Sequence, residues 1–291
     1  MSKKGRSRLA PRKGGLGKAQ MAGMNYKDRQ KMAKSDAKVI NGQVKKKRHS
    51  FKKKGAEEKV PGAKAEIPHE YKDFEKNLLV GEGNFSFSNA LVKLFDGNGF
   101  NLHATAYDTE EVAIQKYEDA ADVLEEVRAS GATVRFGVDA GDLIGGLKLA
   151  KKIKKNGGKL EEEDLFDRIV FNFPHVGLGI KDEAHNVRAN QELLRRFFAS
   201  AASLVKMGGH IHVALKTGKP YSLWNIVGIA HHVSQGTLLQ RTLLKFNHEE
   251  FPGYAHRRTL GFKEGMSKAD NEEIAGLART YVFEKVTAHA K

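Results

Sequence analysis

No cysteine occurs among the 291 residues. Disulfides, thiolate zinc sites, iron–sulfur clusters and cysteine nucleophiles are therefore all excluded, and the chain suits a reducing compartment. No uninterrupted apolar run approaches the ~20 residues that a membrane-spanning helix needs, so a transmembrane reading fails. The N-terminus is basic but lacks an apolar h-region, so it is not read as a secretory signal. Motifs for two common chemistries are missing as well. There is no G-x-S-x-G elbow for a serine nucleophile. The nearest text to a phosphate-gripping loop, Thr217-Gly218-Lys219-Pro220, lacks both the upstream glycine and the terminal hydroxyl.

What the chain does have is positive charge, unevenly placed. Of its 50 Lys+Arg and 35 Asp+Glu, residues 1–64 hold 21 and four, a local net of +17, which leaves residues 65–291 close to neutral at −2. The first segment is predicted to be a disordered basic tail. It has Gly/Lys-rich stretches such as Pro11-Arg12-Lys13-Gly14-Gly15-Leu16-Gly17-Lys18 and almost no aromatic or β-branched residues from which to build a core. Its clusters Lys45-Lys46-Lys47-Arg48 and Lys52-Lys53-Lys54 suit nuclear import, contacts to RNA phosphates, or both. No apolar face or lipidation motif points to a membrane surface instead.

From about residue 70 strand and helix signals alternate. Strands are predicted at Asn77–Val80, Asn101–Tyr107, Ala132–Val138, Phe166–Phe173 and His210–Leu215, with closing strands at Thr237–Phe246 and Arg257–Phe262. Helical stretches fall at Ser86–Phe95, Thr109–Ala129 and Tyr221–Val233. A longer one carries Val187, Leu194, Phe197, Phe198, Ala201, Leu204 and Val205 as a core stripe and is stopped by Gly208-Gly209. Lys148–Glu163 reads as a surface helix and loop. Such alternation implies parallel βαβ units, hence an α/β fold with helices on both faces of a mostly parallel sheet. Ligands then sit beyond the carboxyl ends of the strands.

Four strand ends carry candidate chemistry. The first runs Gly81-Glu82-Gly83-Asn84-Phe85-Ser86-Phe87-Ser88, where glycines let the backbone approach a ligand and the next helix offers N–H groups. A pyrophosphate-binding turn would want glycine where Ser86 stands. Asp108, 25 residues after Gly83, can accept both hydroxyls of a ribose, and Asp139 at the third strand end can meet an adenine amino group. Together they describe an adenosine-bearing cofactor without a pyrophosphate, S-adenosylmethionine. The fourth strand ends Asn172-Phe173-Pro174-His175, a polar–aromatic–proline turn suited to holding a nucleobase. There a neutral His175 can stack on the base or accept a proton. Trp224 reads as a core aromatic. His210 and His212 share a strand face, but no third metal ligand lies nearby in the sequence.

Read in order, several segments resemble the eukaryotic 25S rRNA uridine-N3 methyltransferase family. They are the glycine turn at 81–88, Phe166–Gly177, Asn190–Arg195, Gly209–Gly218, Pro220–Ile226 and Pro252–Thr259, and the likeness spans about 75–263. The resemblance implies a Rossmann-like, S-adenosylmethionine-dependent class I methyltransferase domain over 65–291. It also implies methylation of N3 of a uridine in large-subunit rRNA, association with the pre-ribosomal large subunit, and a nucleolar location. On that reading His175 is the first candidate for proton acceptor, Asn172 holds the base edge and Lys216 stabilises charge on a uracil oxygen. Gly81 to Ser86, Asp108, Asp139 and Asn172 would hold the cofactor. Phe173, Pro174, Tyr221, His256, Arg257 and Arg258 would hold the substrate, with no metal and the chain taken as a monomer. The rival expectation is a non-catalytic pre-rRNA-binding assembly factor on the same fold.

Overall fold

The structure is a computed structural model that describes residues 71–259, 261 and 270–287. The expected tail 1–64 and the domain boundary at 65 lie outside them. Seven strands form one sheet: β1 (Asn77–Val80), β2 (Leu102–Thr105), β3 (Thr133–Arg135), β4 (Phe166–Asn172), β5 (Val205–Lys216), β6 (Leu238–Lys245) and β7 (Ala278–Lys285). Their spatial order is β3-β2-β1-β4-β5-β7-β6. The first five are parallel, and β7 runs antiparallel to both β5 and β6. The strand order reverses between β1 and β4, and a crevice opens there at the carboxyl ends of the strands.

The helices are α1 (Ser86–Leu94), α2 (Glu110–Lys116), α3 (Ala120–Ala129), α4 (Leu143–Gly146), α5 (Ala150–Lys155), α6 (Glu183–Leu204) and α7 (Ile226–Val233). Strand residues alternate between two cores. Leu78, Ile169, Ile211 and Val213 face the α6–α7 side, whereas Leu79, Val170 and Ala214 face the side covered by α1 and the Phe246–Phe251 turn. The α6 stripe behaves as its period predicts: Leu194, Phe197, Phe198, Ala201 and Leu204 are all fully buried. Asp182 starts that helix by accepting the His185 N–H at 2.7 Å. No helix among the described residues is long and apolar enough to cross a membrane.

Five local expectations are corrected. Gly208-Gly209 does not stop α6, because the helix passes into β5 at Val205 and the glycines lie inside that strand. They serve a bulge against β4: Gly208 has φ +74°, and a Cβ on Gly209 would come within 2.8 Å of the Asp167 carbonyl oxygen. The long helix expected over 109–129 is two helices, with Tyr117 extended between them. The helix expected from Tyr221 begins as a short 3₁₀ turn, and α7 starts only at Ile226. Residues 257–259 are irregular rather than a closing strand, and Phe262 lies outside the described residues; the seventh strand is Ala278–Lys285. β3 ends at Arg135, so Asp139 stands in the loop beyond it.

Candidate active site

Two cavities lie side by side at the carboxyl ends of β1, β4 and β5. The first, here the donor cleft, has about 680 Å³ of empty space, open mouth included, and is floored by the glycine turn. Gly81 has φ +68°, and a Cβ there would stand 2.5 Å from the Phe171 ring. A Cβ on Gly83 would be 3.3 Å from Tyr117. Protein packing alone therefore requires both positions to stay small. Phe85 adopts φ 61° as the residue before α1 and turns its ring into the core against Phe136, so it does not line the cleft. An apolar side chain in a left-handed residue reaches inward here because the turn is so tight.

Two of the N–H groups at the start of α1, those of Ser86 and Ser88, are taken by the turn's own side chains. Glu82 accepts the Ser88 N–H at 3.1 Å and the Ser88 hydroxyl at 2.9 Å, while Asn84 accepts the Ser86 N–H at 3.2 Å. The turn thus caps its own helix, which suits a ligand without a pyrophosphate. Burial raises the Glu82 carboxyl to about 7 despite the opposing Ser88 hydrogen bonds. Asp108 faces the cleft and pairs with Lys116. Asn172 also lines it, and its buried Nδ2 has no hydrogen-bond partner among the described residues. Asp139 does not line the cleft: it accepts the Gly141 N–H and pairs with Arg196 at 2.7 Å.

The second cavity, the acceptor pocket, encloses about 670 Å³ counted the same way. Its walls include Pro174, His175, Lys216, Tyr221, Arg258 and Glu273. Lys216 Nζ donates to Glu273 at 2.6 Å, and Arg258 lies 3.8 Å from the same carboxylate. His175 Nδ1 accepts the Gly177 N–H at 2.9 Å. Burial lowers the His175 pKa, and the charges of Lys216 and Arg258 lower it further. Burial and then Lys216 bring His256 down to about 4, so both imidazoles are neutral at physiological pH. Trp224 is fully buried behind this pocket, 5.0 Å from the Tyr221 ring and 6.2 Å from that of His175.

One wall serves both cavities. Phe173, His256, Arg257 and Thr259 line each of them, and the His256 ring meets the Phe173 ring edge-on at 4.6 Å. Phe173 stands at φ 52°, with its N–H donated to the Ala214 carbonyl at 2.9 Å. The irregular segment 251–259 forms the rest of this wall as a strap. Ser86 holds it at Ala255 (3.1 Å), Tyr117 donates its hydroxyl to the Arg258 carbonyl (3.1 Å), and Asp119 pairs with Arg257 (2.9 Å). His256 and Arg257 are therefore built into the wall rather than held out as a surface grip for phosphates.

Residues 78–258 match the family model described as rRNA (uridine-N3-)-methyltransferase BTM5-like. The chain belongs to this family. Among curated relatives, it is 27% identical over 260 residues to the 25S rRNA (uridine(2634)-N(3))-methyltransferase of Saccharomyces cerevisiae, covering 75% of each chain. It is also 33% identical over 214 residues to heavy metal-associated isoprenylated plant protein 41 of Arabidopsis thaliana, a match that takes in 73% of this chain but only 38% of the plant protein. Among solved structures, NSun6 from Pyrococcus horikoshii with SFG superposes with a TM-score of 0.43 at 12% identity, covering 75% of this chain and 49% of that one.

The BTM5-like match contains both cavities except Thr259 and Glu273. The structure brings together Gly81, Glu82, Gly83, Asn84, Ser86, Asp108 and Asn172 in one cavity, and Pro174, His175, Lys216, Tyr221 and Arg258 in the other. Sequence reasoning missed Tyr117, Asp119 and Glu273. The first two sit in the unrecognised break between α2 and α3. No group of three or more His, Cys, Asp or Glu among the described residues is placed to hold a metal.

Proposed function

We propose that the chain methylates N3 of a uridine in large-subunit rRNA, with S-adenosylmethionine as methyl donor, on pre-ribosomal particles in the nucleolus. The observation that carries the reading is the pair of cavities meeting at one aromatic wall, Phe173 and His256, within the family-matched span. The donor cleft fits the cofactor. It offers the carboxylates Glu82 and Asp108 to a cationic ligand and an unpartnered buried amide donor at Asn172. Asp108, which lines this cleft, would accept the ribose hydroxyls. Bound there, S-adenosylmethionine supplies an electrophilic methyl group.

The remaining work falls to the protein's own groups. Uridine N3 is a nucleophile only once its proton has passed to solvent water, and the resulting anion spreads its charge over the two flanking carbonyl oxygens. Lys216, Arg257 and Arg258 place positive charge around the acceptor pocket, where partial burial strengthens their hold on that anion. Phe173 and Pro174 give a rigid edge against which a planar base is aligned. The basic clusters within 1–64 supply sequence-independent affinity for rRNA and suit nuclear import. The test is to incubate the full chain with S-adenosylmethionine and an unmodified large-subunit rRNA transcript, then read nucleosides by mass spectrometry. One new 3-methyluridine is expected. Cofactor binding without any methylated nucleoside would leave an assembly factor in its place.

A further inference from the structure

His175 stands at the mouth of the turn Pro174–Gly177, and its ring is committed on one side only. The Gly177 N–H, aimed by a backbone with φ +66°, donates to Nδ1 at 2.9 Å. A nitrogen that accepts a hydrogen bond from an amide carries no proton of its own, so a neutral ring must carry it on the other nitrogen. Nε2 has no partner among the described residues, and the ring lines the acceptor pocket together with Lys216. The Trp224 ring lies 6.2 Å from the His175 ring, and Tyr221 packs on Trp224 in turn.

We infer that His175 is a hydrogen-bond donor that reads the base: its Nε2–H meets one carbonyl oxygen of uracil while the Lys216 ammonium meets the other. This rests on the uridine methylation proposed above and replaces the expectation that His175 takes the N3 proton. Uracil flanks N3 with two acceptors, O2 and O4. Cytosine puts an amino donor where O4 would be. A pocket that offers donors on both sides of N3 therefore accepts uracil in either orientation and sets donor against donor when cytosine enters. An N–H already fixed on Nε2 cannot also receive a proton there. Burial first, and then the charges of Lys216 and Arg258, oppose a doubly protonated ring.

The inference is tested on the full chain in two ways. Nitrogen NMR of the ¹⁵N-labelled protein at neutral pH is expected to show the His175 proton on Nε2, and a proton on Nδ1 overturns the assignment. Methyl transfer is then measured on the unmodified large-subunit rRNA transcript with His175→Gln, whose amide can donate but cannot act as a base, and with His175→Ala. His175→Gln is expected to stay within about tenfold of wild type, and His175→Ala to fall a further ~10- to 100-fold, the range for losing one hydrogen bond to a charged group. Both should keep wild-type melting and S-adenosylmethionine affinity. On a transcript with the modified uridine changed to cytidine, His175→Ala should narrow the preference for uridine. A folded His175→Gln as inactive as His175→Ala restores the base role and overturns the donor one, as does a fully active His175→Ala. A wild-type chain that makes no 3-methyluridine overturns the methyltransferase reading, and this assignment with it.

Discussion

The two cavities share a wall yet differ in charge. The donor cleft is lined by Glu82 and Asp108, whereas the acceptor pocket collects Lys216 and Arg258 around a single carboxylate, Glu273, and Arg257 stands in the wall common to both. A cationic methyl donor and an ionising base on a polyanion need these opposite surroundings within a few ångströms. The fold provides them by drawing the acids from the ends of β1 and β2 and the cations from β5 and the strap. On the proposed function, this difference in charge across one strand-end crevice would let a neutral domain serve two ligands of opposite sign.

The largest effect that would break this comparison comes from Lys216→Met. Losing the ammonium should slow methyl transfer by ~10²–10³-fold while leaving S-adenosylmethionine affinity, measured by calorimetric titration, at the wild-type value. A parallel loss of cofactor affinity would show that the two cavities are one site. Asp108→Ala should do the reverse, weakening the cofactor by ~10–100-fold, the range for a hydrogen bond to a charged group, and sparing transfer at saturating cofactor.

Glu82 sharpens the comparison through pH. Its carboxyl sits at about 7 in the native state against 4.5 when unperturbed. Between those values the folded chain holds a proton that the unfolded chain has released, so the stability of the unliganded protein should fall as pH rises from about 4.5 to 7 and level off above. Cofactor affinity should run the other way, rising as pH approaches 7, because a cation favours the ionised carboxylate. Thermal melting and titration of Glu82→Gln should lose both slopes. The smallest effect is expected at Gly83. The Cβ of Gly83→Ala meets the Tyr117 ring at 3.3 Å, which the ring can absorb with a small shift at about 1 kcal/mol of stability. Gly81→Ala should cost more in the same melting assay, since φ +68° and a 2.5 Å approach to Phe171 leave no room to adjust.

The donor side was largely legible in the sequence because its signals are local. A glycine turn after an apolar run, an acid at the next strand end and a helical stripe on α6 each lie within a short window, and each appears in the structure. Phe85 was misplaced for a related reason: membership of a motif says nothing about which way a side chain turns in a left-handed residue. The acceptor side depends on long-range register. Glu273 precedes β7, and only the pairing of Ala278 with Lys216 brings it to the Lys216 ammonium. Placing the last strand at 257–262 hid that pairing. Arg257-Arg258-Thr259 was read as a strand because its chemistry is visible but its role, to close a wall tied down by Ser86, Tyr117 and Asp119, is not periodic.

That strap has an evolutionary consequence. A single run of backbone, 251–259, contributes to the walls of both cavities, the proposed cofactor cleft and the proposed base pocket, and it is fastened to the donor side by Ser86, Tyr117 and Asp119. Recombination or design that swapped this run to alter the RNA target would therefore also unfasten the methyl donor's enclosure. New nucleobase preferences are reached more easily from the opposite bank, where His175, Lys216 and Tyr221 can change one at a time without touching the glycine turn.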